Sequence, residues 1–221
     1  MTTAIDLFAG WGGFTLGAEM AGVEVAWAAN HWPRAVEAHA LNHPRTHHEC
    51  QDLRQADWTR LPEFDILLAS PACQGHSSAS QPKRRHYHDA LRATAWAVID
   101  CAEVTEPHAI LVENVPRFRA WRLYHLWRGA LESLGYQVHE LRLTASRHGV
   151  PQRRTRFFAA ATRGRVDLSG LDDSERVVPE IPFGPCIDWD EGTWRMVDVA
   201  SQDVRDRIAS AQRNYGPRSL T

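Results

Sequence analysis

The sequence has no apolar run approaching the roughly 18 residues that a bilayer-crossing helix needs. Its first residues, Met1 to Asp6, lack the basic-then-apolar pattern of a secretory signal. A soluble cytoplasmic protein with no membrane partner is the expectation. Cysteine is scarce: Cys50, Cys73, Cys101 and Cys186 form no C-x-x-C pair, so neither a zinc knuckle nor a redox dithiol is indicated, and they read as free thiols. His47, His48 and Cys50 come nearest to a metal set, but a solvated turn accounts for them better, and no metal is expected. Lysine is nearly missing, since 24 of the 25 cationic residues are arginine. Arginine suits forked phosphate contacts, yet genome composition produces the same bias and is the weightier cause. There is no internal repeat.

What is present is ample for folding. The 221 residues are 43% hydrophobic and include nine tryptophans, which fits one main domain with a buried core and excludes disorder over the whole chain. The net charge of −2 is a sum over unlike segments: residues 1–80 carry −5, 81–156 carry +6 and 157–221 carry −3. The middle of the chain is therefore basic although the whole is not.

Short segments rich in β-formers recur at Ala4 to Phe8, Val23 to Ala28, His47 to Cys50, Asp65 to Ala69, Ala109 to Val112, Tyr136 to Leu143 and Arg156 to Ala161. Helical spacing of apolar residues marks Gly13 to Met20, Pro33 to Asn42, Asp89 to Glu103 and Arg122 to Leu134. Strand alternating with helix predicts an α/β fold: a seven-stranded, mostly parallel sheet with helices on both faces. From Arg163 onward the pattern decays into glycine, proline and acidic residues, and only Val199 to Gln212 looks helical. A catalytic domain over residues 1–162 and a linker with an incomplete further region over 163–221 are expected.

Ligands of such sheets bind beyond the carboxyl ends of the strands. The first strand runs into Asp6-Leu7-Phe8-Ala9-Gly10-Trp11-Gly12-Gly13-Phe14, a glycine-rich turn opening a helix, where the backbone can approach a nucleotide-like cofactor. It is not the dinucleotide fingerprint, because Thr15 stands where the third glycine would be. After the fourth strand comes Ser70-Pro71-Ala72-Cys73-Gln74-Gly75, where a cysteine on a polar turn is either a nucleophile or a small buried apolar residue. After the fifth stands Glu113-Asn114-Val115-Pro116, an acid beside an apolar strand that reads as a general acid or as part of a helix start. Before the seventh, Gln152-Arg153-Arg154-Thr155-Arg156 would place Arg154 and Arg156 on one face, unless the run is simply solvated.

Each of these signals is modest alone, but their order is specific. Over roughly residues 3–162 the chain resembles the C5-cytosine DNA methyltransferases, in which a D-L-F-A-G-x-G-G turn, a P-C loop, an E-N-V segment and a Q-x-R-x-R strand follow one another. The resemblance implies a Rossmann-like fold that uses S-adenosyl-L-methionine and acts on double-stranded DNA as part of a restriction-modification pair. It places the cofactor on Gly10, Gly12 and Gly13, with Phe8 against the adenine, and with Asp52, beside Leu53, accepting from the adenine amino group. It makes Cys73 the nucleophile that adds to C6 of cytosine, Glu113 the group at N3, and Arg154 and Arg156 the donors at O2 and around the cysteine loop. Lys83, Arg84 and Arg85, just beyond the cysteine, would meet phosphates or form an ordinary exposed loop.

Three departures from the family pattern stand out. At the end of the second strand the family has a ribose-binding glutamate followed by tryptophan; here the sequence reads Asn30-His31-Trp32, so Asn30 or His31 would take the ribose hydroxyls. The family has proline directly before the nucleophile, and here that residue is Ala72. The later recognition region and the closing motifs are not recognisable before Thr221, which implies a truncated or split enzyme with a second chain supplying them. Two other readings remain open beside this one: a catalytically silent cofactor or nucleic-acid binding module, and a methyltransferase of tRNA cytosine.

Overall fold

The computed structural model describes residues 1–72, 93–171, 179, 181–186, 202, 205–206 and 209. The strands are β1 (Thr3–Leu7), β2 (Glu24–Asn30), β3 (His47–Cys50), β4 (Ile66–Ala69), β5 (Ala109–Asn114), β6 (Gln137–Thr144) and β7 (Thr155–Thr162). The helices among the described residues are α1 (Gly13–Met20), α2 (Pro33–Asn42), α3 (Trp96–Thr105) and α4 (Tyr124–Ser133). The sheet order is β3-β2-β1-β4-β5-β7-β6. Every neighbouring pair is parallel except those of β7, which runs antiparallel to both β5 and β6. The expected mostly parallel, seven-stranded α/β sheet is the observed one.

Strand alternation divides the side chains between two faces. Ile5 and Leu7 of β1, Leu67 and Ala69 of β4, Ile110 and Val112 of β5, and Phe157 and Ala159 of β7 join the larger core with residues of α3 and α4. Phe118 and Trp127 are its fully buried centre, with ring centroids 5.3 Å apart in an edge-to-face contact. The Trp127 indole N–H donates to the Ala95 carbonyl at 2.9 Å, so this bulky side chain is buried without an unpaired donor. The opposite face has a much smaller cluster, Ala4, Val25 and Leu68, against which Phe14 and Ala18 of α1, Ile66 and Leu111 pack. Gly17 and Ala18 of α1, and Ala21 just after it, offer little side-chain volume to fill this face, and a cleft of about 630 Å³ remains there.

Local departures from the expected elements have physical causes. The helix expected over Asp89 to Glu103 begins, among described residues, with a 3-10 turn at Ala93–Ala95 and continues to Thr105. It stops where Glu106 adopts a left-handed conformation (φ 48°) just before Pro107. The fifth strand runs two residues past Val112, because β7 supplies a ladder in which Glu113 pairs with Phe158 and Asn114 with Phe157. Glu113 is thus on a strand and not after it. His47–Cys50, expected as a weak strand, is the edge strand β3, so the solvated turn offered for the same residues as the alternative to a metal set is replaced by a sheet edge.

The chain divides into two compact units, Met1–Ile181 and Pro182–Thr221. The first holds the whole sheet. In the second, Gly184–Cys186 is a 3-10 turn. Of the expected helix Val199 to Gln212, the described residues Gln202, Arg205, Asp206 and Ala209 are helical. No helix among the described residues is long and apolar enough to cross a membrane.

Candidate active site

The order of strands reverses at β1 and β4, and the crevice beyond their carboxyl ends is where such sheets bind ligands. From β1 the chain enters Phe8 with φ +60°, in the left-handed region that a bulky residue seldom occupies. Strain of this kind persists where surrounding contacts enforce it, and here the Ala9 N–H donates to the Ala29 carbonyl of β2 at 3.1 Å. Gly10 (φ +59°) and Gly12 (φ +92°) complete the turn, and α1 starts at Gly13. Phe8, Gly10 and Gly13 line the 630 Å³ cleft, and so do Ser70, Glu113, Arg154 and Phe158. Residues assigned from sequence to two different tasks, cofactor and chemistry, therefore face one cavity.

Glu113 is the acid of that cavity. The Arg156 Nε lies 2.7 Å from its Oε1 as an ion pair, with each side chain about a quarter exposed. Burial raises the Glu113 pKa, while the charges of Arg156 and Arg154 pull it back. A carboxyl whose affinity for a proton is raised, yet which sits against a guanidinium, suits hydrogen bonding or proton transfer to a ring nitrogen. Arg154, just before β7, lines the cleft; Arg156, on β7, reaches Glu113. The basic run is thus partly spent inside the site. Elsewhere in the basic middle, Arg119 and Arg128 both pair with Glu140, at 2.8 and 2.9 Å.

The remaining candidates fall at the ends of β2 and β3, outside the residues that line the cleft. Asn30 closes β2, and its Oδ1 accepts from the Trp32 N–H at 3.0 Å. His31 and Trp32 are exposed. Asp52 accepts from Arg54 Nε at 2.9 Å and caps the short turn Leu53–Gln55; these hydrogen bonds hold its carboxyl down at about 2. Leu53 is buried in the larger core, so only its backbone is available to a ligand. Gly12 packs against His43 and not into the cleft. Cys73, Lys83, Arg84 and Arg85 lie outside the described residues. The chain entering Cys73 is described: Pro71 is buried, and its carbonyl accepts from Asn114 Nδ2 at 3.0 Å.

Sequence reasoning missed a buried polar chain beneath the glycine turn. Thr15 Oγ1 donates to Asp6 Oδ2 at 2.8 Å, His39 Nε2 lies 3.1 Å from the same hydroxyl, and His39 Nδ1 lies 2.8 Å from His48 Nε2. One proton assignment satisfies all three contacts: His48 donates to His39, His39 to Thr15, and Thr15 to Asp6. Burial pushes the Asp6 carboxyl up to about 7 and the His39 imidazole down to about 4. The signal was a histidine on the buried side of α2 and another in β3. The three described cysteines, Cys50, Cys101 and Cys186, are unpaired thiols, and burial pushes Cys101 up to about 12, which makes it inert. No cluster of three metal-ligating side chains occurs among the described residues.

Comparison with known proteins agrees with this arrangement. Residues 2–202 match the family described as C-5 cytosine-specific DNA methylase. The chain belongs to that family. It is 33% identical over 168 residues to the type II methyltransferase M.HgiDI of Herpetosiphon aurantiacus, covering 72% of this chain and 52% of that protein. It is 27% identical over 171 residues to the type II methyltransferase M.HhaI of Haemophilus parahaemolyticus, covering 76% and 51%. The chain thus spans about half the length of these curated relatives. Among solved structures, the S. pombe Dnmt2 methyltransferase superposes with a TM-score of 0.66 over 98% of this chain and 66% of its own, at 17% identity. Spodoptera frugiperda DNMT2 gives 0.62 over 83% and 57%, at 21% identity. These two likenesses concern the fold.

Proposed function

We propose that this chain is the catalytic part of an enzyme that methylates C5 of cytosine in DNA, with S-adenosyl-L-methionine as methyl donor. The observation that carries the reading is the shared cleft: Phe8, Gly10 and Gly13 line it together with Glu113 and Arg154. The turn fits the cofactor in kind. It presents an aromatic ring, a glycine at positive φ with no side chain in the way, and the start of a helix whose first N–H groups have no intrahelical partner. Phe8, Gly10 and Gly13 would hold the nucleoside and methionine portions, with Gly12 shaping the turn from the His43 side, and with Asn30, His31, Trp32, Asp52 and Leu53 on the ribose and adenine side. The cofactor supplies an electrophilic methyl group on a sulfonium.

The chain's own residues do the rest. C5 of cytosine is a weak nucleophile, and covalent addition divides one difficult step into easier ones. The Cys73 thiolate adds to C6, and Glu113 hydrogen-bonds or protonates N3 as negative charge develops in the ring. Arg154 and Arg156 hold O2 and steady Glu113. After C5 is methylated, loss of its proton restores the C5–C6 double bond and expels the thiolate. The base must leave the duplex stack for this chemistry, at a cost of about a few kcal/mol. Lys83, Arg84 and Arg85 would take the flanking phosphates.

The test is methyl transfer by the purified chain from labelled S-adenosyl-L-methionine to mixed-sequence duplex DNA, with tRNA as a parallel acceptor. Transfer to DNA, lost in Cys73→Ser together with the covalent adduct on a 5-fluorocytosine duplex, supports the reading. An adduct that persists in Cys73→Ser refutes the nucleophile, and transfer to tRNA alone refutes the substrate.

A further inference from the structure

We propose that Thr94 is a positioning residue for the nucleophile loop, its hydroxyl restraining Ala72 as the ring of a proline at that place would. The inference rests on the reading of Cys73 as the nucleophile. Ala72 is the residue directly before Cys73, and its N–H donates to Thr94 Oγ1 at 3.2 Å. One residue earlier, the buried Pro71 carbonyl accepts from Asn114 Nδ2 at 3.0 Å. One residue earlier still, the Ser70 N–H donates to the Leu7 carbonyl at 3.0 Å. The chain leaving β4 is therefore held at three consecutive residues by β1, by β5 and by the turn that opens α3.

The third restraint answers a chemical problem that alanine creates. A proline fixes φ near about −65° and has no N–H, whereas alanine frees that torsion and adds a donor that must find an acceptor in a partly buried place. Thr94 supplies the acceptor from a fixed point. It lies in the 3-10 turn Ala93–Ala95, and Trp127 anchors that turn through the Ala95 carbonyl. Asn114, which holds the preceding residue, is the strand neighbour of Glu113 and is 1% exposed. Thr94 and Asn114 together therefore set the distance from the acid to the chain that carries the sulfur. Placement of a nucleophile controls the rate of its attack more than the affinity for other ligands.

The experiment measures the single-turnover rate of covalent adduct formation on a 5-fluorocytosine duplex, with S-adenosyl-L-methionine affinity and thermal midpoint measured on the same proteins. Thr94→Val should slow the adduct roughly three- to tenfold, the worth of one neutral hydrogen bond, with cofactor affinity unchanged and Thr94→Ser close to the parent. In an Ala72→Pro background, which has no N–H to satisfy, the same Thr94→Val change should have no effect. The proposal is overturned by a parent-like rate in Thr94→Val, by an equal slowing in both backgrounds, or by a parallel loss of cofactor affinity. Should Thr94→Val fail to fold, a folded Ala72→Pro/Thr94→Val chain with the rate of Ala72→Pro supports the proposal, and an unfolded one overturns it. Cys73→Ser separates the two levels: an adduct that persists there removes both the nucleophile and this role. An adduct lost there, with no effect of Thr94→Val, removes only this role.

Discussion

His43 stands directly under Gly12: its Nε2 is 3.1 Å from the Gly12 carbonyl oxygen, and its Nδ1 is 3.0 Å from Glu19 of α1. The ring fills the space where a Cβ at position 12 would project. Gly12 is therefore required twice over, by its φ of +92° and by the imidazole against it. Gly12→Ala is expected to cost about 1–3 kcal/mol of stability from the torsion alone, with a further steric loss. Urea unfolding of Gly12→Ala and of Gly12→Ala/His43→Ala divides the two: the double variant should recover the steric part only.

Asp6 and His39 give opposed pH dependences. The Asp6 pKa is raised in the fold, from 3.8 to about 7, so its contribution is fully present at low pH and is lost as pH rises through that range. The His39 pKa is lowered, from 6.5 to about 4, so its contribution is present above 6.5 and is lost as pH falls toward 4. Between pH 4 and 6.5 the two largely cancel. Asp6→Asn should uncover a stability that rises with pH across this window, and His39→Asn one that falls. Urea midpoints measured at several pH values would show either slope, and parallel curves for both variants would contradict the assignment.

Glu113 lies between two influences, burial raising its pKa and the arginines lowering it. Arg156→Met removes the nearer cation, so the carboxyl pKa should move further up, which carbon-detected NMR of labelled glutamate reads directly. Glu113→Gln keeps the shape and removes the acid. It is expected to slow methyl transfer by about 10²–10⁴-fold, the usual worth of a positioned acid, without altering cofactor affinity.

The α/β class, the seven strands and most helix boundaries were legible because burial on both sides of a sheet writes continuous apolar segments into the chain. α1 and α2 have the expected ends, Gly13–Met20 and Pro33–Asn42. Sheet order was not legible, since the pairing of β7 between β5 and β6 depends on contacts between distant residues. The candidate site was read from motif order, and Phe8, Gly10, Gly13, Glu113 and Arg154 do converge. The Asp6–Thr15–His39–His48 chain was invisible because its members come from β1, α1, α2 and β3, and no spacing links them.

The ribose contact proposed for Asn30 and His31 can be tested at His31. With Asn30 Oδ1 occupied by the Trp32 N–H, restoring a carboxylate by His31→Glu should hold S-adenosyl-L-methionine affinity or tighten it by up to about tenfold, the worth of a charge-assisted hydrogen bond. Calorimetric titration decides. A large loss of affinity would show that the imidazole itself is the binding group.

The larger core makes a separate prediction. Phe118 is fully buried and meets Trp121, Tyr124, Trp127 and Phe157. Phe118→Ala should cost about 3–5 kcal/mol. Because Phe118 follows β5 and touches β7, the loss should be accompanied by slower adduct formation.

The place of β7 has a consequence for synthesis on the ribosome. Among the described strands it is the last to be made, yet it sits between two made before it, and it brings Arg156 to a Glu113 translated 43 residues earlier. A nascent chain ending before Thr155 exposes the edge of β5 and has nowhere to join β6. The glutamate is then without its guanidinium. Closure of the sheet and completion of the charge pair are one late event, so an incompletely emerged chain has the glycine-rich turn but not the finished cleft wall.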